Sequence, residues 1–120
     1  RSYRVKKAVK AIAHITGGGL VENLPRVLPT GCDAAVDPAR WPRPPIFDLI
    51  QRSGDVAEDE MRRVFNLGIG MVLVVSPFSA NAVLDKLHRA GERAFAIGRI
   101  VRGKGAVRFA AGAADGLPGT

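Results

Sequence analysis

Three consecutive glycines, Gly17-Gly18-Gly19, constrain this chain more than any other feature of it. They sit in the stretch His14-Ile15-Thr16-Gly17-Gly18-Gly19-Leu20-Val21-Glu22-Asn23-Leu24-Pro25-Arg26-Val27-Leu28-Pro29. A run without side chains cannot pack a core, and it leaves its peptide N–H groups approachable. The residues that follow have helix-forming character, so the stretch reads as a loop feeding a helix. Pro25 suits the first turn, and Pro29 stops the helix near Leu28. Bare amides at a helix N-terminus are a natural site for a phosphate or similar oxyanion. The competing reading is a glycine-rich turn with no ligand.

Around this loop the chain divides into short elements. Val5, Ala8, Val9 and Ile12 recur at helical spacing between basic residues, which predicts an amphipathic helix packed on its own sheet, or else bound to a partner or a membrane. Cys32 to Asp37 reads as a short strand near a sheet edge, ended by Asp37-Pro38. Trp41-Pro42-Arg43-Pro44-Pro45 delivers a proline to the first turn of a helix carrying Ile46, Phe47, Leu49 and Ile50, closed by Gly54. Ala57 to Val64 is a second helix, with Glu58, Asp59 and Glu60 in its first turn and Arg62 and Arg63 in its last, matching the macrodipole.

Met71 to Val75 is a continuous apolar run, read as a strand covered on both faces and ended by Ser76-Pro77. Ser79 can cap the next helix, whose buried face is Val83, Leu84, Leu87 and Ala90. Asp85 and Arg89 can pair there, and Gly91 supplies the turn. Ala94 to Val101 and Ala106 to Ala110 are two further strands joined by Gly103-Lys104-Gly105. Small residues and glycines from Ala111 onward suggest a frayed tail. A central apolar strand between helices makes the fold class α+β.

With 120 residues, of which 47% are hydrophobic, the chain is one domain's worth of globular protein. No apolar run approaches membrane-spanning length and no cleavable leader opens the chain, so a soluble, cytoplasmic protein is expected. No initiator methionine opens it either, as for a piece of a longer product. The single Cys32 cannot form an internal disulfide, and with only His14 and His88 beside it a zinc site is not expected. The net charge of +7 favours acidic partners such as phosphorylated metabolites. Arg1, Arg4, Lys6, Lys7 and Lys10 crowd one end, and Arg99, Arg102, Lys104 and Arg108 the other. Few aromatics are interleaved, so a stacking platform for single-stranded nucleic acid is poorly supported.

Two nucleotide-site patterns fail on inspection. Gly98 to Lys104 has P-loop spacing, but Gly105 stands where a Ser or Thr is needed and a strand follows. Gly68-Ile69-Gly70 lacks the third glycine of a dinucleotide fingerprint and precedes a strand, so close backbone packing explains it better. His14 is either a proton-transfer group or a buried, hydrogen-bonded residue that fixes the loop. Thr16 can donate to an oxyanion or cap the turn. Glu22 and Asn23 can cap the helix, or Asn23 can contact substrate. Arg26 either neutralises an anion or lies in solvent, and His88 reads as a surface residue.

The stretch from His14 to Pro29 resembles the signature of the C-terminal domain of aminoimidazole ribonucleotide synthetase, phosphoribosylformylglycinamidine cyclo-ligase, of purine biosynthesis. Phe65-Asn66-Leu67-Gly68-Ile69-Gly70-Met71-Val72-Leu73-Val74-Val75 is similar to its second motif in order and spacing. The similarity runs from about Ala11 to about Gly103 and includes Trp41-Pro42 and Gly91-Glu92.

This resemblance implies a mixed β-sheet with helices on both faces, partly ferredoxin-like, with residues 1–110 as one substrate-binding domain and 111–120 as a flexible tail. It implies that Thr16 and the N–H groups of Gly17, Gly18 and Gly19 hold a phosphate, with Asn66, Gly68 and Gly70 shaping the same pocket. In the complete enzyme, ATP and magnesium drive closure of the imidazole ring, converting formylglycinamidine ribonucleotide to aminoimidazole ribonucleotide. An N-terminal domain, absent here, handles ATP and magnesium and forms the homodimer. The chain alone is then expected to be inactive and to bind neither.

Formylglycinamidine synthetase, thiamine-phosphate kinase and selenophosphate synthetase share the fold but are not expected to combine both motifs. A different class is a basic, non-catalytic module binding phosphate or nucleic acid, which steep salt dependence would reveal. On the phosphate-loop reading, alanine at Gly18 raises the complete enzyme's KM for its ribonucleotide.

Overall fold

The computed structural model describes residues 9–118. Strand β1, Val9–His14, pairs antiparallel with β3, Met71–Val75, in a two-stranded sheet. A second, three-stranded sheet has β2, Cys32–Val36, at its centre, flanked by β4, Gly98–Arg102, and β5, Val107–Phe109. Because β2 runs antiparallel to β4 and parallel to β5, that sheet is mixed. The helices are α1, Gly19–Asn23; α2, Pro45–Gly54; α3, Glu58–Val64; and α4, Ala80–Arg89. The class is therefore α+β, with its strands divided between two sheets among the described residues.

The two sheets share a core. Ala13 and Ile15 enter it from β1 and its exit, Leu20 and Leu24 from α1 and the turn after it, Ala34 and Val36 from β2, with Trp41 beside them. Val72, Ile100, Val107 and Phe109 pack around this cluster from the neighbouring strands. Met61, fully buried on α3, is the largest side chain with no exposure. Emptying a site of that kind costs about 2–5 kcal/mol.

The helix expected over Val5 to Ile12 is instead strand β1 where it is described; Val5 and Ala8 lie outside the described residues. Lys10, Ile12 and His14 face out while Ala13 and Ile15 are buried, an alternation of period two that the helical spacing had masked. The apolar partner Met71–Val75 supplies the ladder. In turn β3 is half-exposed rather than covered on both faces: Met71 is 60% accessible, and Ile12 on the same outer face 56%.

β2 is a central strand and not an edge. Its small Ala34 and Ala35 admit close neighbours, and Gly98 packs so tightly that a Cβ there would lie 1.9 Å from the Ala35 carbonyl oxygen. Along α4 only Val83 is buried, and Ser79 makes no side-chain cap. The Asp85–Arg89 pair forms at 3.1 Å, and Gly91 makes the left-handed turn, φ 85°. At the end of α2 the left-handed position falls on Asp55, one residue past Gly54.

The segment from Ala111 to Pro118, expected to fray, forms a chain of turns with Ala114 fully buried. Arg40 donates to the carbonyls of Ala114 and Pro118, at 2.8 and 3.0 Å, and Arg99 to those of Ala113 and Asp115, both at 2.8 Å. Asp37 adds a bond to the Gly112 amide at 3.1 Å.

The Gly103-Lys104-Gly105 turn wraps the protein's own carboxylate. Asp33 Oδ1 accepts the N–H groups of Lys104, Gly105 and Ala106 at 2.8, 3.0 and 2.9 Å, and Oδ2 meets Arg108 at 3.0 Å. A Cβ on Gly103 would fall 2.0 Å from that carboxyl carbon. This concave nest of amides is therefore already filled by the protein's own carboxylate.

The Ala106 and Lys104 amides, then Gly105 and the Arg108 charge, hold the Asp33 carboxyl below its ordinary value of 3.8 against the opposing effect of burial. A carboxylate whose folded value is depressed stabilises the fold fully above its unfolded value, and that stabilisation is lost as pH falls through the folded one. Asp33→Asn is expected to melt several degrees below the parent at pH 7. The gap should narrow as the pH is stepped down below the ordinary carboxyl value of 3.8 and the folded carboxylate takes up its proton, as thermal melts at each pH would show.

Candidate functional site

The two glycine-bearing segments lie side by side, joined through their backbones. Ile15 donates to the Gly70 carbonyl at 2.9 Å, extending the β1–β3 ladder by one rung. Gly18 donates to Val64 O at 3.3 Å, and Gly19 to Thr16 O at 3.1 Å. Gly19, at φ 60°, approaches the end of α3 so closely that a Cβ would lie 2.4 Å from Phe65 O and 2.8 Å from Arg62 O. Only glycine satisfies both the dihedral and the approach.

On the second segment Asn66 Oδ1 accepts the Gly68 amide at 2.9 Å, a side-chain turn that carries Leu67 into the left-handed region at φ 54°. Trp41 pins it by donating Nε1 to Leu67 O at 3.0 Å. Gly68 then passes Pro44, whose Cδ would be 2.6 Å from an added Cβ.

Asn23 organises the first segment. Its Nδ2 donates to Gly19 O at 2.8 Å and Gly17 O at 3.2 Å, and its Oδ1 faces the Thr16 hydroxyl at 3.4 Å. The residue is 5% exposed and serves as an internal latch, not as a helix cap.

These bonds weigh against an oxyanion held by all three glycine amides together. The Gly18 and Gly19 amides are spent internally, and α1 is only five residues long, too short for an appreciable macrodipole. Glu22 also leans over the loop: an alanine Cβ at Gly18, φ 94°, would come 2.6 Å from its carboxylate. Alanine at Gly18 would thus strain the fold whatever it did to binding. Pro25 falls in a 3₁₀ turn, Leu24–Val27, after α1, and the chain becomes extended at Leu28 as Pro29 requires.

Gly17 differs from its neighbours. It is exposed, and nothing lies within 4 Å of where its Cβ would be. Together with Thr16, Phe47, Val64, Phe65 and Asn66 it lines an open cleft of about 310 Å³. The Phe47 and Phe65 rings stand 5.8 Å apart at 57°, forming a tilted aromatic wall. Of the residues singled out by sequence, Thr16, Gly17 and Asn66 meet here. Gly18, Gly19, Asn23, Gly68 and Gly70 are not among the cleft-lining residues and act as its frame.

His14 is exposed and makes no side-chain hydrogen bond with a described residue, which contradicts a buried, loop-fixing role. His88 is exposed, as expected, with Nε2 2.8 Å from Ala94 O.

Phe47, Val64 and Phe65 are the lining residues that sequence reasoning missed, since each reads there only as part of a helix or of the second motif. The overlooked signal was α2 itself: it is strongly amphipathic, yet none of its residues is buried. Glu58 holds α2 and α3 together by accepting from Arg43, from Gln51 Nε2 at 3.2 Å and from Arg62 Nε at 3.2 Å. The bond from Arg43 is the main cause, with Gln51 and the Arg43 and Arg62 charges following, that keeps this carboxyl below its ordinary range despite partial burial.

Residues 2–110 match the family described as AIR synthase related protein, C-terminal domain. The chain belongs to that family. It is 49% identical over 105 residues to the phosphoribosylformylglycinamidine cyclo-ligase of Geobacillus sp. (strain WCH70), covering 88% of this chain and 30% of that protein. The enzyme of the same name from Geobacillus kaustophilus (strain HTA426) is 48% identical over 112 residues, 93% of this chain and 32% of the relative. That from Brevibacillus brevis is 50% identical over 96 residues, 80% and 28%. The chain thus spans roughly 30% of the length of the curated relatives it matches.

In this member of the AIR synthase C-terminal family the basic residues near the end of the chain are partly tied up: Arg99 by the tail carbonyls and Arg108 by Asp33. Among the described residues no group of side chains is placed to hold a metal ion, and no helix is long and apolar enough to cross a membrane. Asn23→Ala removes the donor to three loop carbonyls and is expected to cost roughly 1–3 kcal/mol, while Thr16→Val, losing one long bond, costs under about 1 kcal/mol. Urea unfolding of both variants checks the difference.

Proposed function

We propose that this chain is the substrate-binding part of a phosphoribosylformylglycinamidine cyclo-ligase, and that the cleft between α2 and the glycine loop receives the ribonucleotide. The supporting observation is that Thr16 and Gly17 from one family motif and Phe65 and Asn66 from the other line a single cleft. The proposal follows the cyclo-ligase name of the relatives, all about three times longer than this chain.

In the proposed reaction ATP, with magnesium neutralising its charge, would give its terminal phosphoryl group to the formyl oxygen of the substrate, leaving ADP and making that oxygen a phosphate leaving group. The cleft does not fit magnesium-bound ATP, since its lining carries no carboxylate and no cation. That chemistry is assigned to an N-terminal domain beyond this chain, as are the homodimer contacts. Thr16, Gly17 and Asn66 instead fix the substrate so that its amidine nitrogen and formyl carbon meet, and holding reacting groups together in this way removes much of the barrier. His14, exposed at the end of β1, stands as the candidate for proton transfer. Assembly with the remainder into the family's sheet covered on both faces, with its partly ferredoxin-like connectivity, and a cytoplasmic setting belong to the same proposal.

A chimera in which this chain replaces the matching segment of the Geobacillus kaustophilus enzyme is expected to form aminoimidazole ribonucleotide with ATP, whereas the chain alone forms none. Gly17→Ala, which meets no atom of the fold, should raise the chimera's KM for the ribonucleotide by about tenfold, some 1.4 kcal/mol, without changing its melting temperature. An inactive but folded chimera, or an unchanged KM, would overturn the assignment.

A further inference from the structure

The cleft is specific about charge. None of its six lining residues is ionisable, and the guanidinium groups nearest in sequence are already engaged. Arg62 is held by Glu58 and lies 4.7 Å over the Phe109 ring, Arg63 is paired with Glu60 at 2.5 Å, and Arg43 is bound to Glu58. A phosphate dianion entering here would leave water without meeting a counter-charge, which is strongly unfavourable. Glu22 beside Gly18 adds repulsion of the same sign.

What the cleft offers instead is a face and a rim. Phe47 and Phe65, tilted at 57°, suit a flat ring that stacks on one and meets the edge of the other. The rim is rich in donors. Gly17 N–H has no partner among the described residues, and Asn66 has its oxygen occupied by the Gly68 amide, which leaves its amino group to donate. The Thr16 hydroxyl, with only a 3.4 Å contact to Asn23, is free to turn either way. Such a rim fits lone pairs on ring nitrogens or a carbonyl. A volume of about 310 Å³ accommodates a base with part of its sugar.

We propose that this cleft binds the uncharged, planar nitrogen heterocycle of a nucleoside or nucleotide and leaves the phosphate outside, to be held by cationic groups elsewhere. Choosing an imidazole ring as the probe rests on the cyclo-ligase reading; the preference for a neutral flat ligand rests on the lining itself. The ring lies against the wall that the two phenylalanines form, with its acceptors toward Gly17 and Asn66.

The test is a pair of titrations of the ¹⁵N-labelled chain, one with 5-aminoimidazole ribonucleoside and one with inorganic phosphate, followed by amide correlation spectra. The nucleoside is expected to shift the Gly17 backbone and Asn66 side-chain signals saturably, while phosphate at tenfold higher concentration leaves them in place. Phe47→Leu keeps the wall apolar and should weaken the nucleoside at least about fivefold, with the remaining spectrum superimposable; Thr16→Val, at an exposed position, provides a second variant expected to weaken it. Phosphate moving Gly17 while the nucleoside does not, or neither ligand moving it, overturns the proposal. The two readings separate cleanly. An active chimera with a silent nucleoside sinks only the ring assignment, whereas an inactive chimera with the nucleoside bound sinks only the cyclo-ligase reading.

Discussion

Everything in the candidate site depends on one backbone-to-backbone contact, the seating of Gly18 and Gly19 on the last turn of α3. Gly18 closes a hydrogen bond to Val64 O, and Gly19 rests where any side chain would strike the Phe65 carbonyl. Peptide groups of two segments more than forty positions apart in the chain are thereby brought into direct contact, and only residues lacking a Cβ allow it. Because Phe65 is the next residue on α3's exit, the same seating sets the distance between the loop and the aromatic wall.

The loop is better understood as a self-satisfied structure than as an open cradle. Buried backbone polar groups must find partners, and here they do: the Gly19 amide bonds within the loop to Thr16 O, the Gly18 amide across to Val64 O, and the Asn23 amide reaches the carbonyls of Thr16, Gly17 and Gly19. Rigidity of this kind has a use. Thr16 and Gly17 project from a frame whose other polar groups are satisfied, so they are held in position before any ligand arrives, which limits the ordering cost of binding.

Several features were legible from sequence for clear physical reasons. Acidic and basic residues at opposite ends of α3, the proline at the start of α2, and the spacing of Asp85 and Arg89 all act within one or two helical turns, and each appears as expected. What escaped was decided over long distances. β1 is a strand because Met71–Val75 is there to pair with it; read alone, Val9, Lys10 and Ile12 fit a helical face equally well. β2 is central because two strands more than sixty residues later choose its two edges. Asn23 looked like a cap or a ligand contact, since nothing local reveals that its amide turns back onto Gly17 and Gly19. The cleft was half visible: the glycine motifs pointed to Thr16, Gly17 and Asn66, but Phe47 becomes a wall only when Glu58 draws α2 against α3.

The clasp formed by Arg40 and Arg99 on the final turns bears on the order in which the molecule can assemble. Arg40 reaches carbonyls 74 and 78 positions further along, and Asp37 an amide 75 positions along. Contacts of such separation reward the chain only after the intervening loops have closed. The last turns, poor in apolar side chains of their own apart from the buried Ala114, therefore have nothing to settle against until the three-stranded sheet exists. During synthesis that sheet is itself incomplete until Phe109 has emerged, so the bonds of Arg40 and Arg99 to the turns beyond it can form only after that.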